Sequence, residues 1–197
     1  MTSYRLRVIL WVLVAIAAIG GILIALQPPS PPSRESDLAT IGGPFTLTGS
    51  DSKPFSSARL NGKPAAIFFG FTHCPDVCPT TLARLVKLRR QLGKGDDAIS
   101  IVFITVDPER DGPAEVGSYA GLFGAPVTGL TGKPADIERV KKQFGVFSQK
   151  VEQPGGGYTV DHSASVFLMD RNGHFVATLS PEEGDAVALA KIKRLQA

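Results

Sequence analysis

Cysteine is nearly absent from this chain of 197 residues, with two copies, and tryptophan occurs once. Two cysteines cannot build a disulfide scaffold. The 18 acidic residues never form a run, which excludes an acidic tail, and no period recurs, which excludes a repeat architecture. Excess charge of one sign is also missing. Of the 21 lysines and arginines, only Arg5 and Arg7 fall in the first 26 residues, and the rest of the chain is close to neutral. Without a basic stripe, nucleic acid is not the expected partner. What remains is an apolar front end followed by enough chain for one α/β-sized domain.

The front end reads as a membrane anchor. From Val8 to Leu26 no residue is charged or strongly polar. As a helix these nineteen residues would reach about 28 Å, close to the hydrocarbon thickness of a bilayer. A cleaved signal peptide has a shorter apolar core and small residues just beyond it. Here Ala25-Leu26-Gln27 follows instead, and no cysteine follows that could carry a lipid. Arg5 and Arg7 precede the span, so the positive-inside rule keeps residues 1–7 in the cytoplasm and exports the rest. The expectation is a single-pass protein of a bacterial inner membrane with a periplasmic domain. Its parts are a tail (1–7), an anchor (8–26), a proline-rich linker (27–40) containing QPPSPPS, and a domain (41–197).

Within the domain, apolar runs of strand length alternate with helical patterns. AAIFFGF (65–71) and ISIVFITV (99–106) read as buried strands. Leu82, Leu85, Leu88 and Leu92 mark one helix face, as do Val116, Tyr119, Ala120 and Phe123, then Ile137, Val140 and Phe144, and finally Leu189, Ile192 and Leu195. SVFLM (165–169) and FVATL (175–179) flank Asn172-Gly173, a strong hairpin signal. Phe45 to Leu47 begins an N-terminal hairpin. The order is β-α-β-α, an inserted segment, a β-hairpin and a last helix, which predicts a largely parallel sheet covered on both faces. This is a thioredoxin-like arrangement, an order that other α/β folds also share, and the cysteines decide between them.

Both cysteines lie in GFTHCPDVCP (70–79), between the first core strand and its helix. On a helical turn, Cys74 and Cys78 would stand roughly 6 Å apart on one face. That separation suits a disulfide and equally lets two thiolates share one soft metal ion. Pro79 fits a first helical turn but not a helix interior. A helix N-terminus would favour the thiolate form of both. As a staple, a bridge closing five residues would remove little chain entropy. A structural zinc site wants four ligands, one more than two cysteines and one histidine supply.

Of three histidines, His73 is expected at the surface beside Cys74, and His174 on an exposed strand. His162 differs, because VDHS (160–163) enters the SVFLM strand. In thioredoxin-like folds that entry packs against the cysteines and normally carries a cis-proline; here it carries His162. Two thiolates and one imidazole make a small, soft, three-coordinate site that selects Cu(I). The same thiols oxidised would form a disulfide. The site therefore reads as a copper clamp, a thiol–disulfide catalyst, or both.

GFTHCPDVCP, TVDPERD (105–111), GLTG (129–132) and YTVDHSASVFLMDRNGHF (158–175), in this order, resemble the Sco (SenC) family of cytochrome c oxidase assembly proteins. The likeness runs from about Ile41 to the C-terminus, and the anchor and linker fit it. The resemblance implies copper, one Cu(I) per domain with Cu(II) also admitted, held by Cys74, Cys78 and His162, with Cys74 and Cys78 redox-active. It implies as partner the oxidase subunit that bears the dinuclear copper centre, with a periplasmic copper donor and a thiol reductant alongside. Asp107 and Asp111 are expected to support the site or dock a partner, against the alternative of a helix cap near Pro113. Gly155 to Gly157 has no following helix and is no phosphate cradle. Two functions remain: a carrier of Cu(I), and a reductase keeping the target's cysteines reduced. A carrier needs His162 as a third donor; a reductase does not.

Overall fold

The structure is a computed structural model and describes residues 41–195, with Val8, Trp11 and Leu13 as isolated helical, exposed positions before them. The chain divides into two units, 1–34 and 35–197. The 8–26 span and the linker therefore lie outside the described residues apart from those three positions. Among the described residues no helix is long and apolar enough to cross a membrane.

Strand β3 (Ala65–Gly70) is buried along its whole length, as its unbroken apolar run requires. It pairs in parallel with β4 (Ser100–Thr105), Phe68 opposite Phe103, and β4 pairs in parallel with β5 (Thr128–Thr131). The outer strands run the other way. β1 (Thr46–Gly49) is antiparallel to β5 and to β2 (Pro54–Ser56), and β8 (Val166–Met169) is antiparallel to β3 and to β9 (Phe175–Leu179). The order is β2-β1-β5-β4-β3-β8-β9. The expected largely parallel sheet is thus parallel only at its centre, where helical crossovers connect β3, β4 and β5; hairpins supply the flanks.

Helix α1 (Val77–Gln91) presents Leu82, Leu85 and Leu88 to the core, and its first turn accommodates Pro79, as the sequence predicts. Helix α2 (Pro113–Gly121) packs on β5, with Val116 buried. Along β3 the side chains alternate between the two sheet faces. Phe68 packs toward Phe103, which stacks with Tyr119 of α2, whereas Phe69 meets Phe144 of α3 (Pro134–Phe144). Helix α4 (Asp185–Arg194) packs against α1, where Arg84 and Lys87 both reach Asp185.

Three strands are not legible in the sequence. Strand β5 is four residues long and contains Gly129, where a Cβ would stand 2.5 Å from the Val116 carbonyl oxygen. The glycine that lets α2 approach also weakens the strand signal. The inserted segment is a second hairpin, β6 (Ser148–Glu152) and β7 (Tyr158–His162), forming a separate two-stranded sheet. Gly155, Gly156 and Gly157, all at positive φ, make its turn. At the two ends of the large sheet, β2 begins with Pro54, and Lys191 Nζ donates to the Thr178 carbonyl of β9 at 2.8 Å.

Candidate metal centre

The β3–α1 loop carries both thiols. Cys74 N–H donates to the Phe71 carbonyl at 3.2 Å, and Cys78 N–H points at Cys74 Sγ at 3.4 Å. Asp76 occupies the helix cap position, so Cys78 faces inward from the first turn and is fully buried, while Cys74 is half-buried. Room for the Cys78 sulfur comes from Gly70, where a Cβ would lie 2.7 Å from Sγ. Burial raises the Cys78 thiol well above the ordinary range, although the Phe71 backbone hydrogen bond works against it. At Cys78 burial thus opposes the thiolate form that the helix start is expected to favour.

His162 ends β7. Its Nε2 stands 3.4 Å from Cys78 Sγ and its Nδ1 is 2.9 Å from the Ser163 carbonyl. A carbonyl can only accept, so Nδ1 carries the proton and the Nε2 lone pair faces the thiols. Phe68 and Phe71 set their rings edge-on to the imidazole, with centroids at 6.1 and 5.8 Å. Burial lowers the His162 pKa below the free imidazole value, against the Ser163 carbonyl and Asp161, which raise it. Cys74, Cys78 and His162 each offer a donor atom, and these atoms lie within 4.8 Å of one another. Among the described residues no other group of this kind occurs. Two soft sulfurs and one neutral imidazole, pre-oriented and partly shielded from water, fit a copper ion.

The remaining predicted residues sort differently. Asp111 is fully buried and accepts from Thr72 N–H (2.8 Å), Thr72 Oγ1 (2.6 Å) and Thr105 Oγ1 (2.6 Å), tying the cysteine loop to β4. Asp107, also buried, accepts from Tyr158 Oη at 2.9 Å and from Arg110 Nε. Neither aspartate caps α2, whose cap residue is Gly112, and neither is exposed for docking. His73 is exposed, with Nδ1 3.1 Å from Thr72 Oγ1. His174 is exposed beside Asp170, in the β8–β9 turn rather than on a strand. Gly70, Thr72, Arg110 and Tyr158 were not singled out from the sequence. The alternation in YTVDH (158–162), which sets Tyr158, Val160 and His162 on one face, is the signal that would have found the β7 strand.

The SCO1/SenC family model matches residues 33–197. The chain belongs to that family. Copper-bound ScoI of Bradyrhizobium japonicum is 44% identical and superposes with a TM-score of 0.71, over 79% of this chain and 99% of that one. Copper-bound Sco1 of yeast is 34% identical with a TM-score of 0.70, over 79% and 87%. An SCO2-like protein of Rickettsia conorii is 34% identical across 190 residues, covering 91% of this chain and 92% of its own length. The Sco likeness read from the four motifs is thereby confirmed, and with it the mixed, thioredoxin-like α/β fold.

Proposed function

We propose that this SCO1/SenC protein is a copper metallochaperone that delivers Cu(I) for assembly of the dinuclear copper centre of cytochrome c oxidase. It would be held by the 8–26 anchor in a bacterial inner membrane, with its N-terminus cytoplasmic and its domain periplasmic. Copper is the cargo, and Cys74, Cys78 and His162 are its ligands. The observation that carries the reading is the His162 imidazole, whose Nε2 lone pair is aimed at two thiols by the Ser163 carbonyl. A dithiol that only exchanges disulfides has no use for that donor. The copper-bound structures of two relatives on the same fold support the reading.

The geometry divides the work among this chain's residues. Cys78 and His162 form the sheltered side of the site, and Cys74 faces solvent and meets donor or acceptor first. Loading requires the thiol protons to leave, so copper uptake falls as pH drops. One observation favours a second activity. A half-exposed Cys74 over a buried Cys78 is the layout of thiol exchange: the Cys74 thiolate attacks a partner's disulfide, and Cys78 then displaces the partner and closes the Cys74–Cys78 bridge. The partner leaves as a dithiol, and a separate thiol reductant must regenerate this chain.

His162→Ala separates the two. Its dithiol remains, so a reductase would still support oxidase assembly, and a carrier would not. Expressed in a deletion strain at normal levels, the variant is expected to leave the oxidase copper centre unfilled at low copper, with partial rescue by added copper. Normal centre formation would reject the carrier reading. Anaerobic measurement of copper in the reduced domain is expected to give one ion per chain.

A further inference from the structure

The three donors come from two pieces of backbone that share no ladder. The thiols ride on the loop leaving β3, in the middle of the large sheet, while His162 ends a hairpin whose strands pair only with each other. An isolated two-stranded hairpin is marginally stable in water. Something outside its own ladder must fix it at the site.

One five-residue segment touches both pieces. Asp111, at its end, binds Thr72 of the cysteine loop. Asp107 and Arg110, in the same segment, hold Tyr158 of β7 at three places. The Arg110 guanidinium lies 3.8 Å from the Tyr158 ring centroid, Arg110 Nη1 donates to the Tyr158 carbonyl at 2.9 Å, and Asp107 accepts a hydrogen bond from the Tyr158 hydroxyl and another from Arg110 Nε. On its other side Arg110 reaches the Phe71 ring at 5.9 Å, the ring that stands edge-on to His162. Arg110 Nη2 is buried without a hydrogen-bond partner, so this guanidinium gives up hydration to sit between the two rings. Tyr158 and His162 share a face of the same short strand, so fixing one fixes the other.

We propose that Arg110 is the positioning residue for His162: by gripping Tyr158 it sets the distance from the imidazole to the thiols, while Asp111 sets the thiol side from the same loop. The proposal rests on the reading that Cys74, Cys78 and His162 hold copper, and it concerns how the third ligand is brought there. A lysine substitutes only in part, because an ammonium keeps the charge but has no planar fork to lie flat on Tyr158 while reaching its carbonyl and Asp107.

The test uses the full-length protein in detergent, with Arg110→Lys, Arg110→Ala and His162→Ala. Without metal, Arg110→Ala is expected to move the His162 ring-proton chemical shifts toward free-histidine values and to speed amide exchange across 148–162 about tenfold, leaving β3 and α1 protected. Arg110→Lys retains the charge and should fold normally, so its smaller shift in the same direction serves if Arg110→Ala unfolds. With Cu(I), Arg110→Ala should keep both sulfurs in X-ray absorption, lose the nitrogen, and bind about 10- to 100-fold more weakly. Added to His162→Ala, it should weaken binding no further, because the ligand it positions is already gone. Unchanged His162 shifts and hairpin exchange in both Arg110 variants, or full additivity with His162→Ala, would overturn the proposal. If His162→Ala itself leaves copper coordination unaltered, the ligand reading fails instead, and the metal-free measurements still decide whether Arg110 places the ring.

Discussion

The cysteine loop leaves the interior of a seven-stranded sheet and runs into a 15-residue helix, whereas His162 stands at the end of a two-stranded hairpin whose other strand, β6, is largely exposed. Around the loop, the buried Asp111 carboxylate satisfies three donors and Gly70 leaves a socket for one sulfur. Around the hairpin, the attachments to the rest of the domain include buried Val160, the Phe68 and Phe71 rings against His162, the Lys150–Glu109 ion pair and the Tyr158 grip. A site assembled this way is expected to have one side as stable as the domain and one side that opens more readily. Damage to the first should be global, and damage to the second local.

The largest effects should come from the loop. Cys78→Ser or Cys74→Ser removes a soft donor, and anaerobic dialysis is expected to show copper at background for either. Asp111→Ala leaves three donors without their acceptor, one of which, the Thr105 hydroxyl, is fully buried. A loss of about 3 kcal/mol in unfolding free energy is expected from urea titration, with copper binding reduced as the Thr72 tether slackens. Gly70→Ala forces a methyl against Cys78 Sγ and the Phe68 and Phe103 rings. It should destabilise the domain by about 1–3 kcal/mol and displace the sulfur, while hydrogen exchange in the hairpin stays as it was.

How far the sequence reaches divides along the same line. The β3-loop-α1 unit was readable because its run of apolar residues, leucine spacing and Cys-x₃-Cys motif all lie within one stretch of chain. His162 could be picked out from its place before the SVFLM strand. The hairpin that carries it could not be placed, because β6 is SQKVE, with one apolar residue and every position after the first exposed. Tyr158 and Arg110 lie 48 residues apart, and only the folded backbone brings a carbonyl on one to the guanidinium of the other. Asp107 and Asp111 stand out in the sequence, but nothing local in it fixes their roles. Their neighbour Pro113 invites a capping reading, yet tertiary donors claim both carboxylates.

Smaller effects should come from the hairpin. Gly156→Ala places a side chain at φ 96 with no neighbour within 4 Å, so the penalty is backbone strain alone, about 1 kcal/mol. It should show as faster exchange in 148–162 with the midpoint of global unfolding almost unmoved. The smallest is a pH effect on the metal-free, reduced protein. Folded His162 has its pKa held below the 6.5 of a free imidazole, chiefly by burial. As pH falls below about 6.5 the unfolded chain takes up a proton that the folded one refuses, so stability declines until the folded pKa is passed and then levels. The difference between wild type and His162→Ala in urea midpoint, followed from pH 7.5 to 5, isolates that slope; a flat difference would remove the buried, neutral ring from the comparison.

The two rims of the large sheet have a bearing on how copies of this chain behave when crowded together. A free strand border is a template for cross-chain zipping, and both borders here are blunted by chemistry already built into the fold. Pro54 brings no amide hydrogen to one rim, on a strand of only three residues, and the Lys191 ammonium occupies a carbonyl that the other rim would otherwise extend to a neighbour. Crowded copies of the domain would thus find neither rim ready to extend its sheet into a neighbour.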